Sequence, residues 1–171
     1  FGDGGCVETP AQGSRANVLR ICHELVRLTG RLSADRAPAP RCSLNDALRR
    51  AANVARHDHL VILITDYEGD DEATRALALR LAAHTDVLAG LVYDPLGIRL
   101  PADGVVEATD GRRRATISAS GGFGRAFEDQ FRRRCEQLRT RLQALRIPIL
   151  PICTHDSVPE QVLAALGGTR P

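Results

Sequence analysis

The sequence predicts an α/β fold, a mostly parallel sheet with helices on both faces. Leu60 to Thr65 reads Leu-Val-Ile-Leu-Ile-Thr, an apolar run without alternation. Such runs mark strands buried on both faces. Val87 to Val92 repeats the pattern. Segments with apolar residues at helical spacing separate the runs, and alternation of this kind implies crossovers within one parallel sheet. A length of 171 residues suits one domain, 1–171.

Taken in order, residues 1–13 are Gly-rich and irregular. Ser14 is an N-cap, and Val18, Ile21, Cys22, Leu25, Leu28 and Leu32 form the inward stripe of a first helix. Pro38 and Pro40 mark a loop. Ser43 opens a second helix, Leu44 to about Ala55, and Asp46 completes a loose capping box. After the strand at 60–65 comes the acidic turn Asp66 to Glu72. It feeds a helix at about 71–84 with Ala73, Leu77, Leu81 and Ala82 inward. Residues 98–120 read as a small β-hairpin, Val105 to Ala108 and Ala115 to Ser118, turning at Asp110-Gly111. Phe123, Phe127, Phe131, Cys135, Leu138, Leu142 and Leu145 stripe a long helix, Phe123 to Leu145. Ile147 to Cys153 is a third strand, and Pro159 starts a last helix, 159–166.

Composition narrows the function classes. Aromatics are 4% of the chain and the net charge is +2, so neither the basic footprint nor the stacking rings of a nucleic-acid binder are present. No apolar run reaches the roughly 18 residues of a membrane helix. Five cysteines, an odd count without a Cys-x-x-Cys pair, argue against a disulfide framework or a zinc ribbon and for a reduced, cytoplasmic compartment. The chain starts at Phe1 and contains no Met, which reads as a fragment or a processed product.

Ligands of parallel sheets sit outside the carboxyl ends of the strands. Asp66 stands at such an end, followed by Asp94 and Asp156. A strand-ending Asp can hold Mg²⁺ directly or through water, and Ser43 could add a hydroxyl. The competing assignment for Asp66 and Asp70 is capping of the next helix. For Asp94-Pro95 it is an ordinary turn, for Gly121-Gly122-Phe123-Gly124 a hinge, and for Arg112 to Arg114 and Arg132 to Arg134 a solvated face. His57-x-His59 lacks further ligands for a metal site. No P-loop and no nucleophile elbow occurs.

Several motifs stand in a known order: Phe1-Gly2-Asp3-Gly4, Ser43-Leu44-Asn45-Asp46-Ala47-Leu48, Ile62-Leu63-Ile64-Thr65-Asp66-Tyr67, and Tyr93-Asp94-Pro95 followed by Leu100-Pro101 and Gly104. Together they resemble the domain of unknown function 58 family over nearly the whole chain. The resemblance implies a Rossmann-like, von Willebrand factor A-like domain with the hairpin of 98–120 as an insertion. Domains of that type hold Mg²⁺ at a metal-ion-dependent adhesion site. Its ligands are an Asp-x-Ser-x-Ser motif after the first strand, a Thr at a later helix start and an Asp after the fourth strand. Asp66 matches the last Asp, and Ser43 stands at the Thr position. The Asp-x-Ser-x-Ser motif has no equivalent in this chain and would lie before Phe1.

The metal site expected here is therefore incomplete and empty, with no cofactor in this segment and Mg²⁺ confined to a longer parent. The first strand of the sheet is expected to be missing as well. Its loss would bare the edge of the strand at 60–65 and favour a homodimer through that edge. The function implied is a bacterial protein-interaction module, not an enzyme, working with a MoxR-type AAA+ ATPase in assembling or activating protein complexes. The alternative is a Mg²⁺-dependent phosphoryl-transfer or hydrolytic enzyme using Asp66, Asp70 and Asp94.

Overall fold

A computed structural model of the chain describes residues 1–2, 5–30, 42–101, 105–109, 113–118 and 122–167. The order of elements is α1 (Arg15–Thr29), α2 (Leu44–Val54), β1 (Leu60–Thr65), α3 (Glu72–Ala82), β2 (Asp86–Tyr93), α4 (Pro95–Ile98), β3 (Val105–Thr109), β4 (Arg114–Ser118), α5 (Phe123–Ala144), β5 (Ile149–Cys153) and α6 (Val158–Ala165). Strands β1, β2 and β5 form a parallel sheet in the order β1-β2-β5, and β3 and β4 form a separate antiparallel hairpin. The predicted α/β fold with a parallel sheet flanked by helices is thus present. The predicted turn at Asp110-Gly111 and the Pro38 to Pro40 loop lie outside the described residues.

The core follows from strand alternation. Odd-numbered residues of the sheet, among them Val61, Leu63, Ala89 and Leu91, meet Leu44 and Leu48 of α2, Ala78 and Leu81 of α3, and Leu138 and Leu142 of α5. Successive side chains on a strand point to opposite faces, so the even-numbered ones turn away from these helices. On β5 the even residues Leu150 and Ile152 are buried, and β5 also meets α6. Gln161 of α6 locks that contact. The Cys153 N–H donates to its Oε1 at 2.8 Å, and its Nε2 donates to the Cys153 carbonyl at 2.9 Å.

Strand β1 departs from the expectation of burial on both faces. Its exposure alternates, with Leu60, Ile62 and Ile64 at 63%, 53% and 66%. The unalternating apolar run signals two apolar faces, but only one is covered by described residues.

Helix α1 departs further. Ser14 caps it as predicted, its side chain accepting from the Asn17 N–H at 3.2 Å. The expected inward stripe is nevertheless open: Val18, Ile21, Cys22 and Leu25 are exposed, and Asn17 is the buried residue of the helix. Asn17 is held by polar bonds, its Nδ2 donating to the carbonyls of Pro10 at 3.0 Å and Gln12 at 3.1 Å.

Two capping boxes tie the helix starts that surround the sheet's carboxyl end. Ser43 and Asp46 exchange both bonds of the box at α2, with Ser43 N–H to Asp46 Oδ2 at 3.0 Å and Asp46 N–H to Ser43 Oγ at 3.1 Å. The loose sequence match closes fully because Asp reaches back as Glu would. Asp71 and Thr74 make the second box at α3. Asn45 bridges the two, donating to Asp71 Oδ1 at 3.0 Å and accepting from Thr74 Oγ1 at 2.8 Å. On α3, Leu81 is buried and Leu77 and Ala82 pack half-buried on the core as expected, whereas Ala73 is exposed. Thr74 and Ala78 are buried as well, and the bridge explains the first, because a satisfied threonine can be buried at little cost.

The cysteine reading also needs correction. Cys6 and Cys42 form a disulfide, with Cα atoms 5.5 Å apart, while Cys22, Cys135 and Cys153 are free thiols. An odd count therefore concealed one pair. The bond fastens the N-terminal segment beside the start of α2. The Cys42 N–H to Gly2 carbonyl bond at 3.0 Å and the Arg50–Glu8 ion pair support the same contact. Among the described residues, no helix is long and apolar enough to cross a membrane.

Candidate functional site

The carboxyl ends of β1 and β2 meet α5 in a crevice of about 360 Å³. Asp66 and Asp94 reach it from the two strand ends, with Tyr93 beside Asp94. Helix α5 contributes Phe127, Phe131 and Arg134, which fall at i, i+4 and i+7 on one face. The volume lies within the roughly 300–1,000 Å³ of small-ligand clefts. The Tyr93 and Phe131 rings stand 6.0 Å apart at 58°, an arrangement between stacked and edge-to-face.

The turn that carries Asp66 is unusual. Tyr67 has φ 56° and Gly69 φ 77°. Glycine adopts the second freely, but a left-handed tyrosine is uncommon and persists only where its surroundings hold it. Several contacts do so. The Glu68 N–H donates to Asp66 Oδ1 at 2.9 Å, the Tyr67 N–H to Thr65 Oγ1 at 3.3 Å, and the Asp70 N–H to the Tyr67 carbonyl at 3.3 Å. Arg134 Nη2 reaches across from α5 to the carbonyls of Tyr67 at 2.9 Å and Asp66 at 3.5 Å. The Tyr67 ring is 2% exposed, within the core.

Among the described residues, the Tyr67 hydroxyl has no hydrogen-bond partner. Burial, reinforced by the Asp70 carboxylate, pushes the phenol above its ordinary range. An unsatisfied buried hydroxyl costs about 1–3 kcal/mol. Tyr67→Phe is therefore expected to leave stability unchanged or raise it by up to about 1 kcal/mol. A loss of more than 1 kcal/mol in urea unfolding would show, by the same reasoning, that the hydroxyl has a partner such as an internal water.

The three acids considered for metal-dependent catalysis divide between two places. Asp66 and Asp94 share the crevice. Asp70 lines a separate, largely apolar space beneath Tyr67 and pairs with Arg141 at 2.6 Å. Burial raises the Asp70 carboxyl pKa despite the lowering by Arg141 and Arg134. Asp94 moves the other way. Bonds from the Leu96 N–H at 2.8 Å and the Thr154 hydroxyl at 2.8 Å hold it below the usual carboxylate range. The first of these bonds makes Asp94 the N-cap of α4, a short helix the sequence reading passed over.

Ser43 does not line the crevice that holds Asp66. Its hydroxyl donates to Asp46 Oδ2 at 2.7 Å and accepts from the Asp46 N–H. Asp46 is lowered first by the side-chain bond from Ser43 and then by the backbone bond from the same residue. One carboxylate and one committed hydroxyl do not fit Mg²⁺, which needs near-octahedral oxygen ligation. Among the described residues, no three His, Cys, Asp or Glu side chains are grouped to hold a metal ion. No chemistry is assigned to a metal here.

The other candidates fall elsewhere. The His57 ring meets His84 edge-on at 5.3 Å, and His59 Nδ1 lies 3.1 Å from the His57 carbonyl. Asp156 contacts His155. Arg132 faces Asp129 at 3.7 Å. Gly121 and Arg112 lie outside the described residues. Arg134, Phe127, Phe131 and Tyr93 were missed as site residues. The signal in the sequence is the spacing of Phe127, Phe131 and Arg134, in which a core stripe and a basic cluster share one helix face.

No curated protein and no solved structure matches the chain. A match to the family described as protein of unknown function DUF58 runs over residues 1–141, from the N-terminal segment through Leu142's neighbour Arg141 in α5, and so includes both strand ends that form the crevice. The chain therefore belongs to the DUF58 family of proteins of unknown function.

Proposed function

We propose that the chain is a protein-interaction module rather than an enzyme, and that its partner is a MoxR-type AAA+ ATPase or a client of one. The observation that carries this reading is the amount of apolar surface left open on ordered elements. Val18, Leu19, Ile21, Leu25 and Val26 are exposed on α1. Soluble domains rarely leave contiguous apolar surface of this kind without a partner for it. Spacing at i, i+3 and i+7 places Val18, Ile21 and Leu25 along one helix face, the form in which a helix enters an apolar groove. The association with the ATPase comes from the family resemblance.

The test is binding of the purified chain to the MoxR-type ATPase of the same genome, read by interferometry. Ile21→Asp/Leu25→Asp is expected to weaken the complex at least tenfold while leaving the thermal transition in place, since both side chains are exposed. Equal binding by the variant would remove α1 from the interface, and absence of binding by the unaltered protein would end the reading.

A further inference from the structure

We infer that the crevice between the carboxyl ends of β1 and β2 and helix α5 receives an arginine side chain of the protein partner. The inference deepens the interaction-module reading and rests on it. It identifies the chemistry the crevice recognises.

Charge comes first. Asp66 and Asp94 bring two carboxylates to the crevice against one guanidinium, Arg134, so its formal charge is 1 − 2 = −1. Burial raises both the Tyr93 phenol and the Cys135 thiol above their ordinary values, so neither adds charge near neutral pH. Arg134 is also occupied. Its Nη2 donates to the Tyr67 and Asp66 carbonyls, so that nitrogen is committed to the turn while its charge still offsets one of the two carboxylates.

Acceptor capacity comes next. A carboxylate has about four lone-pair sites. Asp94 spends one on each oxygen, on the Leu96 N–H and the Thr154 hydroxyl. Asp66 accepts from the Glu68 N–H at 2.9 Å and the Thr65 hydroxyl at 3.4 Å, both through Oδ1, which leaves Oδ2 for another donor. Both residues are exposed at the rim, so acceptor sites remain for an entering donor. An anionic ligand would meet repulsion here, and a purely apolar one would strip water from two carboxylates without replacing it.

The walls select among cations. Tyr93 and Phe131 both line the crevice, their rings 6.0 Å apart and tilted at 58°, and a guanidinium over the face of either gains a cation–π attraction. Its planar fork can stack and donate in several directions at once, which the compact lysine ammonium cannot do. Arginine therefore fits the combination of carboxylate rim and aromatic wall better than lysine.

The probe is Nα-acetyl-arginine N-methylamide, whose only charge is the guanidinium, titrated into the ¹⁵N-labelled 171-residue chain. Its citrulline counterpart has the same shape without the charge. The arginine compound is expected to shift the amide resonances of Asp94, Phe131 and Arg134 with a Kd on the order of millimolar, as befits one side chain. The citrulline compound should bind at least tenfold more weakly. Asp94→Asn and Phe131→Leu should each weaken arginine binding about fivefold to tenfold, with spectral dispersion showing that both variants remain folded. Equal shifts by citrulline, undiminished binding by both variants, or shifts confined to residues away from the crevice would each overturn the inference. Failure of the broader reading shows separately. An ATPase that binds but is not displaced by the arginine compound overturns the crevice assignment alone. Arginine binding in the crevice without any ATPase binding overturns the partner alone.

Discussion

Leu48→Ala is expected to lower the unfolding free energy by about 2–5 kcal/mol, the usual cost of deleting a buried leucine side chain. Leu48 is 2% exposed and lies where α2 meets the sheet, in one cluster with Ala78, Leu81, Ala89 and Leu142. It also borders a small cavity of about 30 Å³ shared with Val61, Leu63 and Leu138. Truncation would enlarge a space that its neighbours already fail to fill, and residual cavity volume adds to the transfer term. A domain of this size has a total stability of about 5–15 kcal/mol, so the loss should be plain as a lower urea midpoint at an unchanged slope. Val54→Ala supplies the control from the same helix. Val54 is exposed, and its truncation should stay within about 0.5 kcal/mol of the unaltered protein. A Leu48→Ala shift below 1 kcal/mol would mean that α2 is not docked in solution, since a docked leucine cannot be removed so cheaply.

The docking of α2 was legible in the sequence because local and tertiary signals coincide there. Ser43 stops the chain at the right place, and Leu44 and Leu48 repeat at helical spacing. The strand at Leu60–Thr65 was legible in extent for the same reason, a continuous apolar run between polar ends. Its burial was not, because an apolar run records what a strand can bury and says nothing of which neighbour is present. The stripe of α1 failed in the same way. Asn17, a polar residue off the stripe, is the one that became buried, through side-chain bonds to Pro10 and Gln12 that no periodicity encodes. At the site, Asp66 and Asp94 were legible as strand-end acids. Their convergence in one crevice was not, nor was the exclusion of Asp70 from it, since both depend on β1 lying next to β2. Arg134 lies 67 residues from the Tyr67 carbonyl it meets. Contacts at that separation come from topology, and the i, i+4 and i+7 spacing of Phe127, Phe131 and Arg134 defines a face of α5 without saying what it meets.

The open face of β1 leads to the other large effect. The strand pairs with β2 along one edge, and among the described residues nothing pairs with the other. Free edges recruit further strands, and natural proteins commonly protect them with charge, proline or a bulge. Leu60–Thr65 has none of these. We expect two copies to pair antiparallel through β1 about a two-fold axis. This would extend each three-stranded sheet into one of twice the width and set Leu60, Ile62 and Ile64 of both copies on a single apolar face. Because the contact is isologous, one substitution acts twice. A cross-strand apolar pair is worth about 0.2–1 kcal/mol, and like charges facing each other across a ladder are destabilising. Ile62→Lys removes the isoleucine contacts of both copies and places two like charges at the middle of the seam. The combined loss should be about 2 kcal/mol per dimer, roughly a thirtyfold rise in its dissociation constant. Light scattering coupled to size exclusion should then show a dimer for the unaltered protein and a monomer for Ile62→Lys at the same micromolar concentration. Ile62 is 53% exposed, so the monomer should keep its thermal transition. Its survival would separate loss of association from loss of fold. A monomeric unaltered protein at high micromolar concentration would refute the pairing. The free edge of β1 would then stay unpaired, and its apolar run would be open to a different partner.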